Sequence, residues 1–134
     1  MKPISVTKYV QVERSAAELF AFLADPATMP QWAIHNVKSI HPLGGGRWEM
    51  ETPRGKGTLV PHYEKTGAIL DHEFIDAGEG RWAVPARVVP VGSSSSVYIM
   101  TLTKPEGLPE AAFREGMKLM DDELAALKRC VEGR

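Results

Sequence analysis

The sequence predicts an α+β fold in which a curved, seven-stranded antiparallel sheet packs against one long C-terminal helix. Three observations support this prediction: an alternating strand opens the chain, strand-and-turn patterns fill residues 36–103, and an apolar helical stripe ends it. At 134 residues the chain has the length of one ordinary domain. We therefore expect a single domain over residues 1–134.

The opening segment predicts a strand followed by two short helices. Apolar residues alternate over residues 4–12, as in a half-buried strand. Ser15 and Glu18 have the spacing of a capping box, which begins a helix. Asp25 followed by Pro26 begins a second helix, because aspartate suits the N-cap and proline the first helical position.

Six further strands are predicted in the middle of the chain. They cover residues 36–41, 47–52, 56–65, 68–75, 80–91 and 95–103. Short turns rich in glycine, proline and serine separate them, and connections this short join neighbouring strands as antiparallel hairpins.

The C-terminal segment gives the clearest helical pattern. Pro109 suits the first helical position. Apolar side chains then recur at alternating spacings of four and three, at Phe113, Met117, Met120, Leu124, Leu127 and Val131. A single helix with such a stripe needs one large apolar partner, and the sheet is the only candidate.

Strand phase predicts which side chains face that helix. His72 and Phe74 share one face of their strand, whereas Asp71 and Glu73 occupy the other, so His72 is expected on the dry side. The strands at 36–41 and 56–65 carry mixed residues on both faces, and their orientation stays open.

The phase of the strand at 80–91 is also open at one point. Pro85 and Pro90 favour an edge or a bulge there. Arg87 would reach a ligand carboxylate only if a bulge at Pro85 turned it inward; a solvated arginine is favoured.

The expected interior is rich in large, pliable and amphipathic side chains, which are typical of a binding cavity. Gly116 lies in the middle of the long helix, where glycine costs about 1 kcal/mol relative to alanine, and something close to its backbone would explain it. We therefore predict an open cavity, with a solid core as the alternative. The expected ligand-binding residues are Trp32, Trp48, Met50, His72, Phe74, Trp82, Val84, Tyr98, Met100, Phe113, Gly116, Met117 and Met120.

Charge and composition exclude several classes of function. The net charge is −1, and no run of basic residues is present, so the positive surface that nucleic acid requires is missing. Cys130 is the single cysteine, and no pair of histidines has metal-ligand spacing. We expect no metal, no cofactor and no nucleic-acid partner.

The location of the protein is inferred from its apolar runs. The first residues lack the apolar run of a signal peptide, and no stretch approaches the roughly 18 apolar residues that span a bilayer. We expect a cytoplasmic protein that does not insert into membranes.

The predicted order of elements resembles the helix-grip superfamily called SRPBCC, which includes START domains, the birch-pollen allergen and polyketide cyclases. Segments 12–20, 32–37, 70–72 and 87–90, together with Asp25-Pro26, are similar to uncharacterised bacterial members often described as polyketide cyclases or dehydrases. The resemblance covers nearly the whole chain. It implies a cavity for a hydrophobic ligand between sheet and helix, but it implies no particular reaction.

Histidines are the natural candidates for acid–base chemistry near neutral pH. His72 is the first catalytic candidate, with a core histidine bonded to a backbone carbonyl or a tyrosine as the structural alternative. His35, at the expected rim of the cavity, is the second, with a cap or turn role as its alternative. His41 and His62 are expected at the surface.

Two main functional hypotheses remain, from different classes. The first is a carrier or sensor that binds a small hydrophobic or aromatic molecule in the cavity. The second is a metal-independent cyclase or dehydratase acting on a polyketide-like substrate in the same cavity. A third, a protein-interaction module, would require a solid core and a large exposed apolar patch. The ligand and the oligomeric state, for which a homodimer is one option, stay open.

Overall fold

In a computed structural model of the chain, residues 3–78 and 80–133 are described. The strands are β1 (Ser5–Val12), β2 (Ser39–Gly44), β3 (Arg47–Thr52), β4 (Gly55–Glu64), β5 (Ile69–Ile75), β6 (Arg81–Val84), β7 (Ala86–Val91) and β8 (Ser95–Thr103). The helices are α1 (Ala16–Leu23), α2 (Met29–Trp32), which follows a 3₁₀ turn at Pro26–Thr28, and α3 (Glu110–Glu132).

The strands form one open antiparallel sheet in the order β1-β8-β7-β5-β4-β3-β2, with β6 also paired to β5. The α+β fold class is therefore confirmed, with eight strands instead of seven. The difference lies at Pro85, which has no N–H for the ladder and divides the strand predicted at 80–91 into β6 and β7. The Pro85 carbonyl still accepts the Thr101 N–H at 3.0 Å, so the chain passes from one pairing to the other without leaving the sheet.

The helix starts after β1 follow the sequence pattern. The Ser15 hydroxyl accepts the Glu18 N–H at 3.2 Å and donates to the Glu18 carboxylate at 3.0 Å. The Asp25 carboxylate accepts the Ala27 N–H at 3.0 Å, which begins the 3₁₀ turn. These local contacts place α2, and Trp32 at its end, against α3.

The start of β2 differs from the predicted 36–41. The backbone N–H groups of His35 and Asn36 donate to the buried Glu123 carboxylate of α3 at 2.9 and 3.1 Å. The next amide, that of Val37, donates to the Ala33 carbonyl at 2.8 Å. Because the Asn36 and Val37 amides are already paired, they cannot join the ladder, and the strand begins at Ser39.

The apolar stripe of α3 faces the core as predicted. Its buried side chains include Phe113, Leu124, Leu127 and Val131. Two lysines connect the helix to β1 at its polar edges: Lys8 pairs with Asp121 at 2.6 Å, and Lys128 donates to the Gln11 carbonyl at 3.0 Å. Among residues 3–78 and 80–133, no helix is both long and apolar enough to cross a membrane.

Candidate ligand-binding cavity

A cavity of about 240 Å³ lies between α3 and the sheet. For comparison, an engineered cavity of about 150 Å³ in another protein holds benzene. The cavity is bordered by all but one of the residues that the sequence assigns to ligand binding, namely Trp32, Met50, His72, Phe74, Trp82, Val84, Tyr98, Met100, Phe113, Gly116, Met117 and Met120.

Trp48 is the exception. It is half-buried and packs against the core, but it does not border the cavity. The phase of β3 is right, because Met50, on the same face, does border it. Trp48 lies near the start of β3, opposite Pro42 of β2 and Leu59 of β4, and alternation alone gives no position along the strand.

His35 and Arg87 also lie away from the cavity lining. His35 Nε2 pairs with the Asp122 carboxylate of α3 at 3.0 Å, and its backbone N–H bonds to Glu123. Arg87 is exposed opposite Ile99, so the interruption at Pro85 does not turn it inward. The geometry of His35 matches the structural alternative, a side chain that holds a turn.

The unoriented strand β4 contributes two further lining residues, Leu59 and Tyr63. Their neighbour His62 points outward and pairs with the Glu73 carboxylate at 2.9 Å. His41 likewise pairs with Glu49 at 3.1 Å on the exposed surface. In the described ranges, no group of three or more acidic, histidine or cysteine side chains is placed to hold a metal ion.

The cavity has a buried end and an exposed end. Trp32 and Tyr98 close the buried end, where their rings meet edge to face at 6.2 Å. Ala83, Thr103 and Ala112 border the other end and are exposed, which identifies the entrance.

Arg54 lies at the entrance. Its guanidinium sits 4.8 Å from the centre of the Trp82 ring, a cation–π contact. Trp82 in turn meets Phe74 edge to face at 6.0 Å. This stack places the one positively charged lining residue of the described chain at the mouth, away from the buried end.

His72 is fixed in one tautomer. Its Nδ1 lies 2.9 Å from the Leu70 carbonyl oxygen, which can only accept, so Nδ1 carries the proton. Burial lowers the pKa of His72, against the opposing effect of that hydrogen bond. The neutral ring therefore has an unprotonated Nε2 that can accept a hydrogen bond or a proton.

Two tyrosines also belong to the polar part of the lining. Tyr98 is only 3% exposed, and burial raises its pKa well above the ordinary value. Burial also raises the pKa of Tyr63 to about 12. Neither hydroxyl makes a hydrogen bond to any residue that the structure describes. The Trp32 indole N–H is also unpaired within the described chain.

Glu123 is a buried carboxylate that the sequence analysis missed. It is 1% exposed and accepts the backbone N–H groups of His35 and Asn36, as well as the Asn36 side-chain amide at 3.0 Å. Burial raises its pKa despite these three hydrogen bonds. The sequence spacing could have revealed its burial, because Glu123 lies three residues after Met120 and four before Leu127, on the apolar stripe.

Gly116 borders the cavity for a different reason from the one expected. From the sequence we expected another group to lie close to the Gly116 backbone, but a Cβ built there meets no atom within 4 Å. The missing side chain therefore leaves the cavity open at this point instead of admitting a tight contact.

Comparison with known proteins places the fold. No protein-family profile matches the chain, and no curated protein sequence is similar to it. Solved structures do match. A START superfamily protein from Mycobacterium smegmatis has 17% identity and a TM-score of 0.74, with 96% of this chain and 97% of that chain covered.

Two further structures have the same architecture. The Zhui aromatase/cyclase from Streptomyces sp. R1128 matches with 13% identity, a TM-score of 0.72, and coverage of 98% of this chain and 93% of that one. The protein Ara h 8.0201 matches with 12% identity, a TM-score of 0.74, and coverage of 99% and 100%. The predicted helix-grip fold, which these proteins share, is therefore confirmed.

Proposed function

We propose that this helix-grip domain binds a small aromatic or apolar molecule between its sheet and α3, as a carrier or sensor. The observation that carries the proposal is the cavity itself, which remains open although large side chains surround it. Its lining is mostly aromatic and aliphatic, and its few polar groups converge from separate elements. Ligand sites in proteins generally have this composition.

The cavity volume limits the ligand. Sites for drug-sized molecules occupy about 300–1,000 Å³, so 240 Å³ suits a molecule of one or two rings. A longer ligand would have to extend past Arg54 into solvent. The size therefore favours a compact aromatic compound over a fully enclosed lipid chain.

A cyclase or dehydratase is the second candidate, and His72 is the observation that favours it. His72 borders the cavity, and its unprotonated Nε2 could take a proton from a bound substrate that reaches it. Replacing His72 by Gln separates the two functions. An enzyme would lose turnover and keep binding, whereas a carrier would change only modestly in affinity.

An interaction module is the least supported alternative. That function predicts a solid core, and the open cavity counts against it.

The binding proposal is tested by filling the cavity from Gly116. A Gly116→Leu side chain would enter open space and improve the local helix propensity, so the fold should persist. We expect wild-type protein to bind naphthalene in a calorimetric titration and Gly116→Leu to bind at least tenfold more weakly.

Ala125→Leu is the matched control, because Ala125 is exposed on the same helix and does not border the cavity. It should bind like the wild type. Equal binding by all three proteins would contradict the proposal, as would no binding of any small aromatic compound to the wild type.

A further inference from the structure

Three polar side chains of the cavity, those of Tyr63, His72 and Tyr98, lie on the face of the sheet that borders it. Tyr63 of β4 pairs with Leu70 of β5, and His72 is the next residue of β5 on the same face. Such diagonal neighbours lie about 7–8 Å apart between Cα atoms, within reach of long side chains. Tyr98 of β8 lies close enough to Tyr63 for the two phenols to interact electrostatically.

These groups have hydrogen-bonding capacity that the protein does not use. The hydroxyl groups of Tyr63 and Tyr98 and the Nε2 of His72 have no partner in the described parts of the chain. Tyr98 is almost completely buried, but its hydroxyl oxygen is not fully enclosed by protein atoms. Its remaining accessible surface therefore opens on the cavity that it borders. Buried polar groups are seldom left unpaired without a reason.

We propose that Tyr63, Tyr98 and His72 form a subsite for a hydroxyl group on the ligand, so that the ligand is a small phenol or a similar aromatic alcohol. The inference rests on the binding function proposed above and specifies its ligand class. A ligand hydroxyl matches these three groups, because its oxygen can accept from both tyrosine O–H groups and its proton goes to His72 Nε2.

The charges around the subsite favour a neutral ligand group over an anionic one. With the His72 ring neutral, the only charged lining residues of the described chain are Arg54 and Glu123. Arg54 lies at the entrance, stacked on Trp82. Glu123 is an acid, so no cation is available at the buried end to compensate a carboxylate or phenolate.

The test compares three probes of nearly equal shape by calorimetric titration of the full chain. Naphthalene has no polar group, 2-methoxynaphthalene can only accept, and 2-naphthol can donate and accept. We expect 2-naphthol to bind about thirtyfold more tightly than naphthalene, as three net hydrogen bonds of about threefold each allow, with 2-methoxynaphthalene between them.

Two variants test whether the tyrosine hydroxyl groups cause the preference for 2-naphthol over naphthalene. Tyr98→Phe and Tyr63→Phe remove one hydroxyl each and keep the ring, so each should reduce the 2-naphthol preference to about tenfold while naphthalene affinity stays within twofold. Tyr9→Phe is the matched control, because Tyr9 is 68% exposed and lies outside the cavity lining; it should change nothing.

The outcomes separate this inference from the proposed function. If naphthalene binds but 2-naphthol shows no preference, or if the preference survives in both cavity variants, the subsite is refuted and the cavity proposal stands. If none of the three probes binds, the proposed function itself fails, and the subsite fails with it.

Discussion

Glu123 offers the sharpest test of how α3 is held against the segment that follows α2. Its carboxylate joins two elements far apart in the chain, since it accepts three hydrogen bonds from His35 and Asn36. Replacing Glu123 by Leu leaves three donors without a partner. Replacing it by Gln keeps one oxygen for the two backbone N–H groups, and the Asn36 amide can rotate to accept from the new NH₂ group.

The structure sets the size of the effect. An unsatisfied buried donor costs about 1–3 kcal/mol, and these donors are only partly buried, so about 1 kcal/mol each is appropriate. Glu123→Leu should therefore lower the free energy of unfolding by about 3 kcal/mol. Relief of the desolvated charge offsets part of this loss. Glu123→Gln should lower it by less than about 1 kcal/mol.

Urea unfolding followed by tryptophan fluorescence measures both variants. The exposed neighbour Asp122→Asn is the control, because it keeps the Glu123 contacts and loses only the exposed pair with His35. Equal stability of Glu123→Leu and Glu123→Gln would refute the reasoning, since it would mean that the three hydrogen bonds contribute nothing net.

Three further predictions concern stability. Burial raises the Glu123 pKa in the folded state above its value in the unfolded state. Between these two pKa values, the folded state therefore binds more protons than the unfolded state. The stability of the wild type relative to Glu123→Gln should therefore fall as pH rises from about 4.5 through the folded pKa, and the opposite slope in paired urea titrations would contradict it. Gly116→Ala should raise the free energy of unfolding by about 1 kcal/mol, because alanine favours the helix and its Cβ meets no atom within 4 Å; a loss on urea unfolding would disprove open space there. Tyr98→Phe should not lower the melting temperature, because the Tyr98 hydroxyl has no hydrogen bond to lose in the described chain; a drop of several degrees would reveal a missed partner.

Much of the fold could be predicted because local patterns determine it. The limits of β3 and β8 match the prediction, and the α3 stripe faces the sheet. The errors arise where a distant partner intervenes. The start of β2 depends in part on Glu123, 87 residues after Asn36, which takes up the Asn36 backbone amide that the predicted strand needed for the ladder.

The cavity lining was partly predictable for the same reason. Alternation gave the inward faces of β5 and β8, including His72 and Tyr98. It could not orient β4, where Tyr63 shares its strand with apolar and polar residues on both faces. It also could not separate Trp48, near the start of β3, from Met50, because strand phase says which face a residue occupies but not what lies above it.

Ligand binding requires an accessible cavity between α3 and the sheet, and methionine methyl groups report on this cavity directly. Five methionines border the cavity: Met29, Met50, Met100, Met117 and Met120. In protein labelled with ¹³C at the methionine methyl groups, saturating naphthalene should shift these five NMR signals, and Gly116→Leu should suppress the shifts. Signals that stay unchanged in the wild type at saturating naphthalene would contradict the account.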